Sequence, residues 1–362
     1  MTIIGPKAYI HLDRCISNLE NIQKKVGDCI ILCVVKANGY GHGSVAIAKS
    51  IASNKNIQFA VFSIDEAIKL RESNISNDIL VFSRIQPDFI DLAFNNNIIL
   101  NISSLDDIQY IKSYNLKTRR SPRYHIKFET GMTRLGIDIK DASLLYQKIT
   151  KDLKIHPEGI YTHFATADEG DISYAKNQLA KFKDVVDLAD KLNINYKYVH
   201  CSNSGAILNL KDSYFNMIRV GMLLYGALPS NEIQNDINLK PVMSFCGSIV
   251  NLRRVSKGTP VSYGGAYKTS KDTNIGVVQT GFADGFPRPW YEKGYVHYLG
   301  NEYKIAGRVC MDQLMVDFGE TVPKIGDEVL FFGENNTGNI PVETIAESIN
   351  STPYVLLTAI GG

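Results

Sequence analysis

No apolar run in this 362-residue chain approaches the ~20 residues that a membrane-spanning helix needs. No block of like charge interrupts it either. Lysine and arginine are scattered and the net charge is +2, so the chain carries no nucleic-acid or membrane-surface footprint. Cysteine is sparse: six residues, with no Cys-x-x-Cys pair. Cys29 and Cys33 fall on one face of a predicted strand and read as small core residues. Met1 to Arg14 lacks the charged-then-apolar order of a secretion signal, and the expectation is a reduced, cytoplasmic protein. A paired His-x-His and a convincing carboxylate set are also missing. That weakens a metal-dependent hydrolase built on His163 and His200.

What is present is the composition of a globular protein, 44% hydrophobic and 21% charged, with too many residues for one ordinary core. From residue 29 to 223 short apolar runs alternate with amphipathic stretches. Strands are predicted at 29–35, 59–62, 79–82, 98–102, 124–128, 159–162, 196–200 and 217–224. Helices are predicted between them, for example at 65–73 and 174–192. Eight βα units without a reversal signal predict a closed TIM (β/α)8 barrel rather than a doubly wound sheet. After about residue 235 period-two segments, glycines and prolines replace that rhythm, at 243–255, 273–280, 303–306, 314–318 and 328–333. This predicts an α/β chain in three parts: an N-terminal strand at 1–12 that could join the second domain, a barrel at 13–235, and a mostly β domain at 236–362. Polar residues follow the barrel strands at Lys36, Ser63, Ser83, Asn101, Lys127, His163, Asn203 and Ser204, with Arg219 inside the last run. In a barrel these positions share one mouth, where barrel enzymes place their chemistry.

The apolar run 29–35 ends abruptly at Lys36, and glycines follow at 39, 41 and 43. A lysine at the end of a strand buried on both faces loses hydration, which lowers its pKa towards the nucleophilic free amine. Such a lysine can form a Schiff base with a carbonyl cofactor; the plainer reading is a loop lysine snorkelling into water. The glycines are not a P-loop, because Lys36 precedes them and no Gly-Lys-Ser/Thr follows.

The stretch VVKANGYGHG at 34–43 resembles the cofactor-lysine motif of the alanine racemases, enzymes that use pyridoxal 5′-phosphate on a TIM-like barrel. Matching motifs recur as far as Tyr354. The resemblance implies that Lys36 carries the cofactor and serves as one of two bases. It implies phosphate contacts at Tyr40, Ser204, Tyr354 and the amides of Gly221 and Met222, with Arg219 on the pyridine nitrogen. A guanidinium there leaves that nitrogen neutral, unlike a carboxylate. Arg134, in KFETGMTRLG, matches the residue that steadies the cofactor's phenolic oxygen and the substrate carboxylate. Lys127 matches a lysine carried as a carbamate, and His163 a histidine bridging the second base and Arg219. In the second domain VSYG matches the motif of the catalytic tyrosine, Tyr263, and CMDQ a substrate-carboxylate motif with Met311.

The family pattern further implies a head-to-tail homodimer with shared active sites, alanine as the substrate, and D-alanine supply for peptidoglycan. Phe282 departs from it, standing in GFADGF where relatives commonly have tyrosine. Serine or broad-specificity racemisation on the same scaffold is the alternative reading. A non-catalytic cofactor carrier is a further one, which Tyr263 and Arg219 argue against.

Overall fold

The computed structural model describes residues 5–153 and 155–361. Residues 1–4 of the expected N-terminal strand segment lie outside that range. The first sheet has nine parallel strands, the short Ile137–Asp138 beside Tyr124–Glu129 and eight that run around it: Ile30–Val34, Ile57–Val61, Ile79–Val81, Ile98–Ile102, Tyr124–Glu129, Gly159–Tyr161, Tyr198–His200 and Met217–Val220. They pair in chain order, and the last strand returns to the first with Met217 opposite Ile30. Between Tyr198–His200 and Met217–Val220 single bonds replace a ladder. The Arg219 amide donates to Ser202 O at 2.9 Å, and Val199 N–H donates to Asn216 Oδ1 at 2.8 Å. The result is a nearly closed barrel of the TIM type. The first four strands are rich in Ile and Val, and almost every residue of the eight is buried, as a sheet covered on both faces requires.

Helices cover the outside. Leu12–Val26 buries Cys15, Leu19, Ile22 and Val26, one stripe at helical spacing. Ile64–Glu72 and Leu105–Thr118 open on capping boxes, Ser63 with Glu66 and Ser104 with Asp107. Most expected strand ends shift by a residue or two, and one shifts further. The run 217–224 is strand only to Val220; Gly221 then breaks the ladder and Met222–Tyr225 forms a 3-10 turn.

The second sheet is antiparallel, in the order Lys7–Ile10, Met243–Val255, Thr273–Gln279, Leu314–Asp317, Asn301–Ile305, Tyr295–Tyr298, Glu328–Asn335 and Gly338–Ile340. Met243–Val255 also pairs with Glu328–Asn335, so the sheet closes on itself and only short strands remain at its edges. Lys7–Ile10 joins it, with Lys7 opposite Cys246. Two helices end the chain, Val342–Ser348 and Pro353–Ile360. The second of these lies across the mouth of the first barrel.

Candidate active site

Lys36 leaves its strand through a left-handed turn. Ala37, Asn38, Gly39 and Tyr40 have φ of 50°, 52°, 65° and 51°. Only one of the four is glycine, and each L-residue there costs about 1–2 kcal/mol. Tertiary contacts hold the turn in place. Gly39 N–H donates to Val35 O at 2.9 Å and Ala37 N–H to Glu66 Oε1 at 2.7 Å. The Asn38 side chain donates to Gly361 O at 3.1 Å. Gly41 lies so close to the last helix that a Cβ would sit 2.2 Å from Leu357 O. The turn sets Lys36 and Tyr40 against one cavity.

That cavity, about 630 Å³, opens at the carboxyl ends of the barrel strands. Lys36, Lys127, Arg134 and Arg219 line it, and no lining residue is acidic. Burial lowers the pKa of Lys36, and Arg134 lowers it further. Lys127 is pushed down to about 8, first by burial and then by Arg134 and Arg219. Four cationic groups facing one space without a carboxylate define an anion site.

Arg219 is anchored from behind. Nη2 donates to Thr162 O at 2.8 Å, Cys201 O at 2.9 Å and His163 Nδ1 at 3.1 Å. Nη1 donates to His200 O and His200 Nδ1, both at 3.0 Å. Among the described residues none accepts from Nε, while the side chain lines the cavity. Burial depresses the guanidinium to about 10, still charged at neutral pH. Burial and then Arg219 hold His163 and His200 well below the usual imidazole range, so both are neutral acceptors. A cation on each Nδ1 also leaves a metal-ligand role for this pair without support.

At the other end Ser204 Oγ accepts from Gly221 N–H at 3.2 Å. A Cβ on Gly221 would lie 2.9 Å from the Tyr40 hydroxyl, so glycine lets that hydroxyl approach the backbone. Met222 starts the 3-10 turn and its amide has no intrahelical acceptor, although its side chain is wholly buried. Tyr354, whose ring centre is 5.8 Å from that of Tyr40, closes this corner. Hydroxyls and backbone amides meeting here make a corner whose chemistry suits an anion.

Three of the expected rim residues lie elsewhere. Ser63 caps a helix, Ser83 does not line the cavity, and Asn101 is fully buried, donating to Phe82 O at 3.0 Å and accepting from the Tyr161 hydroxyl at 2.8 Å. Tyr263 and Met311 do not line the cavity of their own chain. They are exposed, 65% and 57%, on the second domain, Tyr263 at the start of a 3-10 turn; Phe282, also exposed, starts another, and its ring lies 5.8 Å from the Arg288 guanidinium.

Comparison with known proteins gives this geometry a family. Residues 10–229 match the model of the alanine racemase N-terminal domain and residues 242–362 that of the alanine racemase C-terminal domain. The chain belongs to the alanine racemase family. It is 36% identical over 346 residues to an alanine racemase of Halothermothrix orenii, covering 95% of this chain and 91% of that one. The alanine racemase of a D-cycloserine-producing Streptomyces lavendulae superposes with a TM-score of 0.93 at 29% identity, covering 100% of this chain and 96% of that one. The Bartonella henselae alanine racemase, solved with covalently bound pyridoxal phosphate, superposes with a TM-score of 0.89 at 27% identity, covering 99% and 98%.

Several residues of this alanine racemase family cavity escape a reading of the sequence. Tyr161 stacks on His200, ring centres 4.7 Å apart and planes 4° from parallel, and lies 5.5 Å from the Arg219 guanidinium. Phe62, Phe82 and Leu135 add an apolar wall, and Val355 and Thr358 come from the last helix. That helix had a signal: Pro353 after Thr352, proline at the first helical position.

Proposed function

We propose that this chain racemises alanine, interconverting the L and D enantiomers with pyridoxal 5′-phosphate as its cofactor. The observation that carries this reading is the amine of Lys36, its pKa lowered by burial, in a cavity that Arg134, Arg219 and Lys127 also line and that no Asp or Glu enters. Such a cavity suits a phosphate ester and an amino-acid carboxylate together. Tyr40, Ser204, Tyr354 and the amides of Gly221 and Met222 would hold the phosphate. Arg219 Nε would meet the pyridine nitrogen, and Lys36 would carry the covalent link. When bound, the cofactor withdraws electrons from the substrate Cα and so weakens its C–H bond.

The chain's own groups then move the proton. Lys36 serves one face of Cα. The tyrosines of the cavity are poor bases for the other face, because burial raises the pKa of Tyr40, Tyr161 and Tyr354 alike. Tyr263, exposed on the second domain, reaches a cavity when two chains pair head to tail, with Met311 beside it on the substrate carboxylate. His163 accepts from Arg219 on Nδ1, which leaves a proton on Nε2 to donate to the Tyr263 oxygen. Arg134 would orient the substrate carboxylate, opposite a carbamate on Lys127. The enzyme would work as a cytoplasmic homodimer supplying D-alanine for peptidoglycan. Serine or broad specificity rests only on Phe282 and is not favoured.

The test is the purified protein with added pyridoxal phosphate. A yellow chromophore removed by borohydride, together with racemisation of L-alanine faster than of L-serine, is expected. A colourless protein that leaves L-alanine unchanged would overturn the reading.

A further inference from the structure

A second cavity, about 350 Å³, lies between the closing segment of the barrel and the second domain and shares no lining residue with the first. Its wall is mainly apolar, built from Leu228, Leu239, Met243, Phe332, Val342 and Leu357. One charged side chain lines it, Glu343. Glu343 Oε1 accepts from Leu228 N–H at 2.6 Å, and no lysine or arginine of the described residues pairs with the carboxylate. Burial holds this carboxyl above the usual carboxylate range. A carboxylate left without a cation in an apolar pocket costs free energy that a cationic ligand would offset.

The pocket is also pre-formed. Gly226 has φ +76°, and a Cβ there would lie 1.8 Å from Lys240 O. Gly333 has φ +88°, and a Cβ there would lie 2.2 Å from Met243 O. Backbone packed on backbone fixes both walls, so little ordering is needed on binding.

We propose that this cavity binds a small apolar ammonium ion, its N–H donating to Glu343 and its hydrocarbon body packing between Phe332 and Leu239. The size fits one aryl- or alkylammonium, and the chemistry excludes anions and large polar ligands. The site stands apart from the proposed racemisation, and its test reads binding alone.

The probe is N,N-dimethylbenzylammonium, a tertiary amine that cannot condense with a carbonyl cofactor. Titrated into the holoenzyme by calorimetry and ligand-observed NMR, it should bind once per chain. Glu343→Gln keeps the acceptor for Leu228 N–H and removes the charge, so it should weaken binding at least tenfold. Isobutylbenzene, the uncharged isostere, should bind the wild-type protein at least tenfold more weakly than the ammonium, a comparison that stands even where the variant folds poorly. No saturable binding up to about 10 mM, or equal affinity for charged and neutral probes, would overturn the proposal. Equal affinity of the wild-type and a folded Glu343→Gln would do the same.

Discussion

Arg219 Nη1 donates to His200 Nδ1 across 3.0 Å. A guanidinium has no acceptor to offer, so His200 must receive on Nδ1 and carry its proton on Nε2. That proton is donated to His125 Nδ1, also 3.0 Å away, which fixes the same tautomer one ring further back. His163 receives from Arg219 in the same sense. One arginine thus sets three histidines and needs no carboxylate to stay charged beside the cavity.

The first prediction concerns that anchor. Arg219→Gln strands several of the carbonyls and imidazoles that Arg219 now satisfies, and each buried group left unpaired costs about 1–3 kcal/mol. Urea unfolding at pH 7 should show a loss of at least ~3 kcal/mol. Arg219→Lys should recover part of it by keeping one cation. A loss below ~1 kcal/mol in both variants would mean the network does not hold the barrel end together.

The buried histidines should also make stability fall in mild acid. Burial lowers His42 to about 4 and His125 to about 3, against an ordinary value of 6.5. In the window between those values the unfolded chain binds protons that the folded chain refuses. Stability is therefore fully present above pH 6.5 and is lost as pH falls towards 4 and then 3, by up to about 1.4 kcal/mol per pH unit for each histidine. Chemical denaturation at steps from pH 7 to pH 4 measures the slope. His42→Gln should make it shallower; an unchanged slope would show that His42 is protonated in the folded protein.

How far the sequence reaches is clearest at single positions. Ile30–Val34 and Ile79–Val81 are legible because strands buried on both faces appear as uninterrupted apolar runs. Tyr295–Tyr298 in the second sheet is not, since its tyrosines and histidine show no clean alternation. Glycines at 39, 41 and 43 mark a turn after Lys36, but nothing local announces left-handed Ala37, Asn38 and Tyr40. Glu66 and Gly361, from distant parts of the chain, hold that conformation. Strand-end position locates a residue near the mouth without saying which way it faces. Ser63 shows this, although its Ser-x-x-Glu spacing to Glu66 was a readable capping signal.

Lys36→Ala should leave no amine able to hold the cofactor covalently and should abolish racemisation. Lys127 is the nearest rival, with its pKa pushed down to about 8 in the same cavity. Borohydride reduction followed by peptide mass mapping should place the label on Lys36 in the wild-type protein and nowhere in the variant. Label on Lys127 in the wild-type protein would reassign the link.

Lys127 should instead take up carbon dioxide. Carbamate forms from the free amine, so its occupancy should rise as pH increases through about 8 and fall below it, the protonated amine being unreactive. Carbon-13 NMR of protein equilibrated with labelled bicarbonate reads this directly. A carbamate signal absent across pH 6 to 9, or present equally in Lys127→Ala, would rule the modification out.

The last prediction separates the two bases. Racemisation removes the Cα hydrogen from one face and returns a proton to the other, which one rigid side chain does not readily do alone. In the proposed arrangement Lys36 serves the face of D-alanine and Tyr263, from a second copy of the chain, that of L-alanine. Tyr263→Phe removes only a hydroxyl from an exposed residue, so the fold and the cavity should be untouched. Net racemisation should fall by several orders of magnitude. Lys36 remains, so D-alanine should still exchange its α-hydrogen with solvent, because abstraction and return on that face need no phenolate. L-alanine should exchange far more slowly. Each enantiomer is incubated with the variant in D₂O and the Cα–H signal is followed by NMR. Equal exchange of both would mean that the faces are wrongly assigned or that one base does all the work.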